Sequence, residues 1–153
     1  VVDGPGEYEI KGINILGISC FHDGKEGAER GKNTIYEMRI DGLVIVHLGD
    51  LGHKLNEKQS EEIENVDVLF LPVGGKYTID AQTASEIISE IQPKIVIPMH
   101  YKTSGLNEKT FGELTGVGEF LKVMGKSEII PQDKLVISKD KLGEEMQVVV
   151  LKV

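Results

Sequence analysis

The chain has 153 residues, 40% of them hydrophobic, which is enough for one domain with a substantial core. Its 25 acidic against 17 basic residues give a net charge of −8, which disfavours a nucleic-acid groove or an anionic membrane as the partner. Cys20 is the single cysteine, so no internal disulfide forms. No apolar run approaches the roughly 20 residues that span a bilayer, and no signal peptide is visible, so a cytoplasmic protein is expected.

The chain opens Val1-Val2-Asp3-Gly4-Pro5-Gly6 without an initiating methionine and enters a strand-like pattern at once, as if an N-terminal region were missing. Glu7–Ile10 and Ile13–Phe21 read as strands across the turn Lys11-Gly12. His22 to Lys32, rich in glycine and charge, reads as a mobile surface loop. Asn33–Ile40 and Leu43–Leu48 flank Asp41-Gly42, a strong signal for an antiparallel hairpin.

Asn56-Glu-Lys-Gln59 has the form of a capping box and predicts a short helix over Glu57–Glu64. Val66–Val73 is a buried strand that stops at Gly74-Gly75. Ala84, Ile87, Ile88 and Ile91 follow the spacing of a helix with one buried face, with Asp80 as N-cap and Pro93 ending it. Lys94–Met99 is the next buried strand. A helix at Val117–Met124 and strands near Leu135–Ser138 and Gln147–Leu151 complete the set. The expectation is one α/β domain over residues 1–153 with a mixed sheet.

Three strand-like runs break off at residues suited to metal ligation. His22 ends Ile13–Phe21, Gly49-Asp50 follows Leu43–Leu48, and His100 follows Ile95–Met99. In layered α/β folds ligands collect beyond strand ends, and imidazole and carboxylate are the usual ligands of zinc and similar ions. The separations, 28 residues and then 50, are too long for a zinc finger and suit ligands delivered by separate strand ends.

Other residues near these ends have two readings each. His53 lines the cleft as an orienting donor or proton carrier, or simply sits in the loop before a helix. His47 faces away from Leu48 and reads as a packed or hydrogen-bonded histidine. Gly74-Gly75 with Tyr77 and Thr78 brings backbone N–H groups toward a substrate oxyanion, or, as favoured here, forms a tight turn. Tyr101 and Lys102 contact an anionic substrate or form an ordinary exposed pair, and Arg30 and Lys32 read as solvated.

Five segments resemble the metallo-β-lactamase superfamily: Gly4-Pro-Gly-Glu-Tyr-Glu-Ile10, Phe21-His22-Asp23, His47-Leu-Gly-Asp-Leu-Gly-His53, Pro72-Val-Gly-Gly75 and Ile97-Pro-Met-His-Tyr-Lys-Thr103. The branch they most resemble is the metal-dependent hydrolases related to ascorbate-6-phosphate lactonase. The resemblance implies an αββα sandwich and two divalent ions, zinc first, with manganese or iron as alternatives. It places His22 on the first ion, Asp50 as the bridge and His100 on the second, with a bridging hydroxide as nucleophile.

The superfamily's H-x-H-x-D-H motif, which supplies the remaining ligands and lies upstream of the segment matching Gly4–Ile10, is absent from this sequence. The resemblance therefore implies the C-terminal two-thirds of such a domain, inactive alone because a catalytic zinc needs about three protein ligands. The intact enzyme is expected to hydrolyse a small ester, lactone or phosphodiester, with Asp50 and His53 catalytic and Tyr101 and Lys102 binding substrate. The rival expectation is a non-catalytic binding or assembly module with a degenerate metal site. Either way, uncovered strands predict self-association or retention of an N-terminal fragment.

Overall fold

The computed structural model describes residues 1–126 and 129–152. Its frame is a mixed sheet of seven strands lying side by side in sequence order. They are β1 (Gly6–Ile10), β2 (Ile13–Phe21), β3 (Lys32–Ile40), β4 (Leu43–His47), β5 (Val68–Pro72), β6 (Ile95–Met99) and β7 (Gln147–Val148). The first four pair antiparallel through tight turns, Asp41-Gly42 among them. From β4 onward neighbours run parallel, and parallel pairing requires crossover connections. Four short helices lie in those connections: α1 (Glu57–Glu62), α2 (Ala81–Ile91), α3 (Glu108–Phe111) and α4 (Val117–Val123).

The helix starts are set by side chains. Asn56 and Gln59 make both bonds of the capping box at α1, 2.9 and 3.1 Å, and the buried Gln59 also donates to the Ser19 carbonyl at 2.8 Å, tying α1 to β2. Asp80 caps α2 by accepting from the Thr83 N–H at 2.8 Å. Left-handed Gln92 ends that helix just before Pro93. Neither Asn107, which caps α3 through Lys109 N–H at 2.9 Å, nor α3 itself was expected from apolar periodicity, because this one-turn helix buries no residue.

Strand alternation splits the sheet into two unlike faces. Val46, Leu69, Leu71 and Val96 point toward the helices and pack with Ala84, Ile87, Ile88, Phe120 and Leu121 in the main core. Each such buried aliphatic contributes about 1.5–3 kcal/mol relative to exposure. Val68, Ile95, Ile97 and Val149 point the other way, joined mainly by half-buried neighbours such as Ile45 and Phe70. The mixed sheet with its helical layer agrees with the expected superfamily architecture; among the described residues the opposite face carries no second sheet.

One expected strand is corrected. Residues 134–138 form no regular strand. Instead Leu135 and Ile137 lie over Val68, Ile95 and Ile97 as a cover on the second face, pinned by Lys139, whose ammonium bonds both carboxylate oxygens of buried Asp67 at 2.8 and 2.7 Å. Apolar alternation there reflects packing on a sheet, not membership of one. The last strand is also shorter than expected, with Leu151 in a single bridge to Gln132.

Candidate metal centre

Topology brings the three candidate ligands together. β2 is antiparallel to β3, β3 to β4, and β4, β5 and β6 are parallel, so β2, β4, β5 and β6 all end at one edge. His22 directly follows β2, Asp50 lies just past β4 and His100 directly follows β6. All three line one cleft of about 650 Å³. His100 Nδ1 stands 3.2 Å from Asp50 Oδ1, and both side chains are about half exposed, at 44% and 53%. His22 Nε2 is buried with no hydrogen-bond partner among the described residues, and a buried polar atom in that state calls for an explanation such as an ion or a water.

Close backbone approaches hold these ends in place. A Cβ on Gly52 would overlap the backbone of His22 and Asp23, and one on Gly74 would overlap the His100 carbonyl. His100 itself is left-handed, with φ 54°, a conformation that a non-glycine residue keeps only when its surroundings impose it. Gly52 N–H donates to the Phe21 carbonyl at 3.0 Å and Ile79 N–H to the Leu51 carbonyl at 2.9 Å, stitching the loop after β4 to its neighbours on both sides.

His53 belongs to that stitching. Its Nε2 accepts from Phe21 N–H at 3.1 Å and its Nδ1 lies 2.6 Å from the Lys54 carbonyl, so the second nitrogen carries the proton and both are engaged by backbone. It is not among the residues lining the cleft. His47 accepts from Gly49 N–H through Nδ1 at 3.0 Å and stacks on Phe70. Burial lowers its pKa first, His100 adds to this, and Asp50 opposes it. It is the hydrogen-bonded histidine expected from sequence.

Tyr101 lines the cleft, and burial raises its hydroxyl pKa above the ordinary value. Lys102 turns away, bonding Glu108 at 3.0 Å and the Gly112 carbonyl at 3.2 Å. At Gly74-Gly75 the turn reading holds. The N–H groups of Gly75, Tyr77 and Thr78 are all taken by carbonyls of the same loop, so these three do not face an oxyanion. Tyr77 instead presents its ring to the cleft, edge-on to Phe111, with the Arg30 guanidinium 5.6 Å from its centre.

The loop expected to be mobile is instead organised by the aspartate near its start. Buried Asp23 accepts from the N–H groups of Lys25, Gly27, Glu29 and Arg30 at 2.7–3.0 Å. Burial alone would raise its pKa, but these four donors hold it down to about 2. An aspartate opening a glycine-rich stretch is the local signal that was available.

The donors suit a divalent ion in kind: an unpartnered buried imidazole nitrogen, a carboxylate and a second imidazole. They do not make a complete site. Among the described residues no three His, Cys, Asp or Glu side chains gather closely enough to hold a metal.

Residues 1–100 match the family profile for the Beta-lactamase superfamily domain. This chain belongs to the metallo-β-lactamase superfamily. It is 32% identical over 100 residues to a UPF0173 metal-dependent hydrolase of Pyrococcus abyssi, an alignment covering 64% of this chain and 44% of that protein. It is 32% identical over 124 residues to a UPF0173 metal-dependent hydrolase of Staphylococcus carnosus, covering 74% and 54%. The chain thus spans about half or less of the length of these superfamily relatives. Among solved structures, a Thermotoga maritima protein described as belonging to the metallo-β-lactamase superfamily superposes with TM-score 0.81 at 37% identity, covering 98% of this chain and 70% of that one.

Proposed function

We propose that this chain carries part of a two-metal hydrolase centre in which His22 serves one ion, Asp50 bridges and His100 serves the other. The observation that carries the reading is the convergence of three strand ends on one cleft, with Asp50 and His100 3.2 Å apart and His22 Nε2 unpartnered. Relatives named as metal-dependent hydrolases support it. Two bound divalent ions, zinc foremost, would supply an activated water and Lewis acidity for hydrolysis of a small ester, lactone or phosphodiester.

The chain's own residues have separable tasks. Asp50 and His100 orient each other across the cleft, and His22 keeps one ring nitrogen free of protein partners. Tyr101, protonated through the neutral range, offers an O–H donor to a substrate oxygen from the cleft wall. His53 acts through the backbone, by fixing the loop that carries Asp50, and Lys102 by holding the segment after His100 to α3. The incomplete donor set supports inactivity of this chain alone, the missing ligands coming from an H-x-H-x-D-H segment outside it.

The test compares this chain with a longer polypeptide that includes its upstream coding sequence, on a nitrophenyl ester, a lactone and a phosphodiester, with and without chelator. Turnover by the longer form alone, lost on chelation and in Asp50→Ala, is the expected result. Turnover by either form that survives both treatments would sink the proposal.

A second reading rests on the sheet face bearing Ile45, Phe70 and Ile97, which the described residues cover only in part. Another polypeptide, either the upstream segment or a second copy, would cover it, making the chain an assembly module as well.

A further inference from the structure

Asn33 stands near the start of β3, and its side chain reaches the backbone on both sides of Gly49. Its Oδ1 accepts from Asp50 N–H at 3.0 Å, and its Nδ2 donates to the Leu48 carbonyl at 2.8 Å and to the sulfur of buried Cys20 at 3.0 Å. These partners fix the orientation of the carboxamide, because only its oxygen can meet an N–H and only its NH₂ a carbonyl. Gly49, between the two contacts, has φ 59°, and a Cβ there would fall on the Asn33 carboxamide. The residue before Asp50 therefore lacks a side chain where Asn33 must enter.

The Asp50 side chain, 53% exposed, has His100 as its one polar side-chain partner among the described residues. Its direction is set by its backbone, and that backbone is held by Asn33. We propose that Asn33 is the positioning residue for Asp50, aiming the carboxylate at the metal centre by clamping the peptide units on either side of Gly49. The inference rests on the metal-centre reading above. Groups that orient metal ligands typically alter metal affinity roughly 10- to 100-fold when changed.

The test is calorimetric titration of the 153-residue chain with Zn²⁺, with the visible spectrum of the Co²⁺ form and metal-free thermal melts recorded alongside. Asn33→Ala should weaken Zn²⁺ binding roughly 10-fold or more and change the Co²⁺ spectrum. Asn33→Asp preserves shape and the acceptor for Asp50 N–H but sets an oxygen against the Leu48 carbonyl. It should fall between wild type and Asn33→Ala, and it serves if the alanine variant does not fold. Gly49→Ala should weaken binding similarly, and by a smaller factor once Asn33 is already alanine, because the added methyl then has room.

Asp50→Ala separates the two levels. If it leaves Zn²⁺ binding unchanged, or if the unaltered chain binds none, the metal-centre reading fails and the inference with it. If Asp50→Ala weakens binding while both Asn33 variants keep wild-type affinity and Co²⁺ spectrum, the inference alone is overturned and Asn33 merely braces the fold.

Discussion

Nδ1 of His100 lies 3.2 Å from Oδ1 of Asp50, although two helices and two strands intervene in sequence. The contact follows from topology. β4 and β6 flank β5 in parallel register, so their C-terminal ends share an edge, and the turn after β5, with Gly74, lies between them. A binding cleft at that edge is where open α/β sheets generally place ligands.

The approach of Gly74 to His100 gives a mutational test with an internal control. In Gly74→Ala the new Cβ meets the His100 carbonyl, a backbone atom with little freedom to yield, so a loss of about 1–3 kcal/mol is expected. Gly118→Ala, in helix α4 with open space around the site, should instead gain about 0.5–1 kcal/mol. Urea denaturation of both variants checks the pair, and equal effects of one sign would contradict this packing account.

The cap on α2 predicts a pH signature. The Thr83 N–H bond lowers the pKa of Asp80, so its contribution is full above the unfolded aspartate pKa of about 3.9 and fades as pH falls through the depressed folded value. Asp80→Ala should cost about 1 kcal/mol at neutral pH, and less as pH falls below about 4. Asp80→Asn keeps an acceptor without the titration and should flatten that dependence. A cost of Asp80→Ala that grows on acidification would contradict the assignment.

The partly covered sheet face should be adhesive. Both sheet edges are blunted, β1 by Glu7 and Glu9 and β7 by having only two residues, so association is expected through the face around Phe70 and Ile45 rather than by edge pairing. Sedimentation should show concentration-dependent association that Phe70→Lys reduces. A monomer at all concentrations, with no binding of a hydrophobic dye, would contradict it.

Sequence carried much of this site because its parts end regular elements. His22, Asp50 and His100 terminate apolar runs, Asp41-Gly42 marks a hairpin and Asn56 with Gln59 a cap; all are local signals. What it hid depends on distance or on competition between backbone partners. Asn33 meets Asp50 across 17 residues with no periodic pattern to announce it. His53 reads equally as a cleft-lining donor and as a loop residue until Phe21 N–H and the Lys54 carbonyl occupy its ring. Leu135–Ser138 alternates like a strand because it packs on one, and the loop after His22 depends on four N–H groups turning toward one carboxylate.

The central claim is that this chain holds part of a two-metal centre organised around Asp50, and zinc titration of the 153-residue chain with elemental analysis tests it most directly. Weak, partial occupancy is predicted, falling further in Asp50→Ala while the thermal melt of the metal-free protein barely moves, since the Asp50 side chain is half exposed. Tight stoichiometric binding of two ions that Asp50→Ala leaves intact would contradict it.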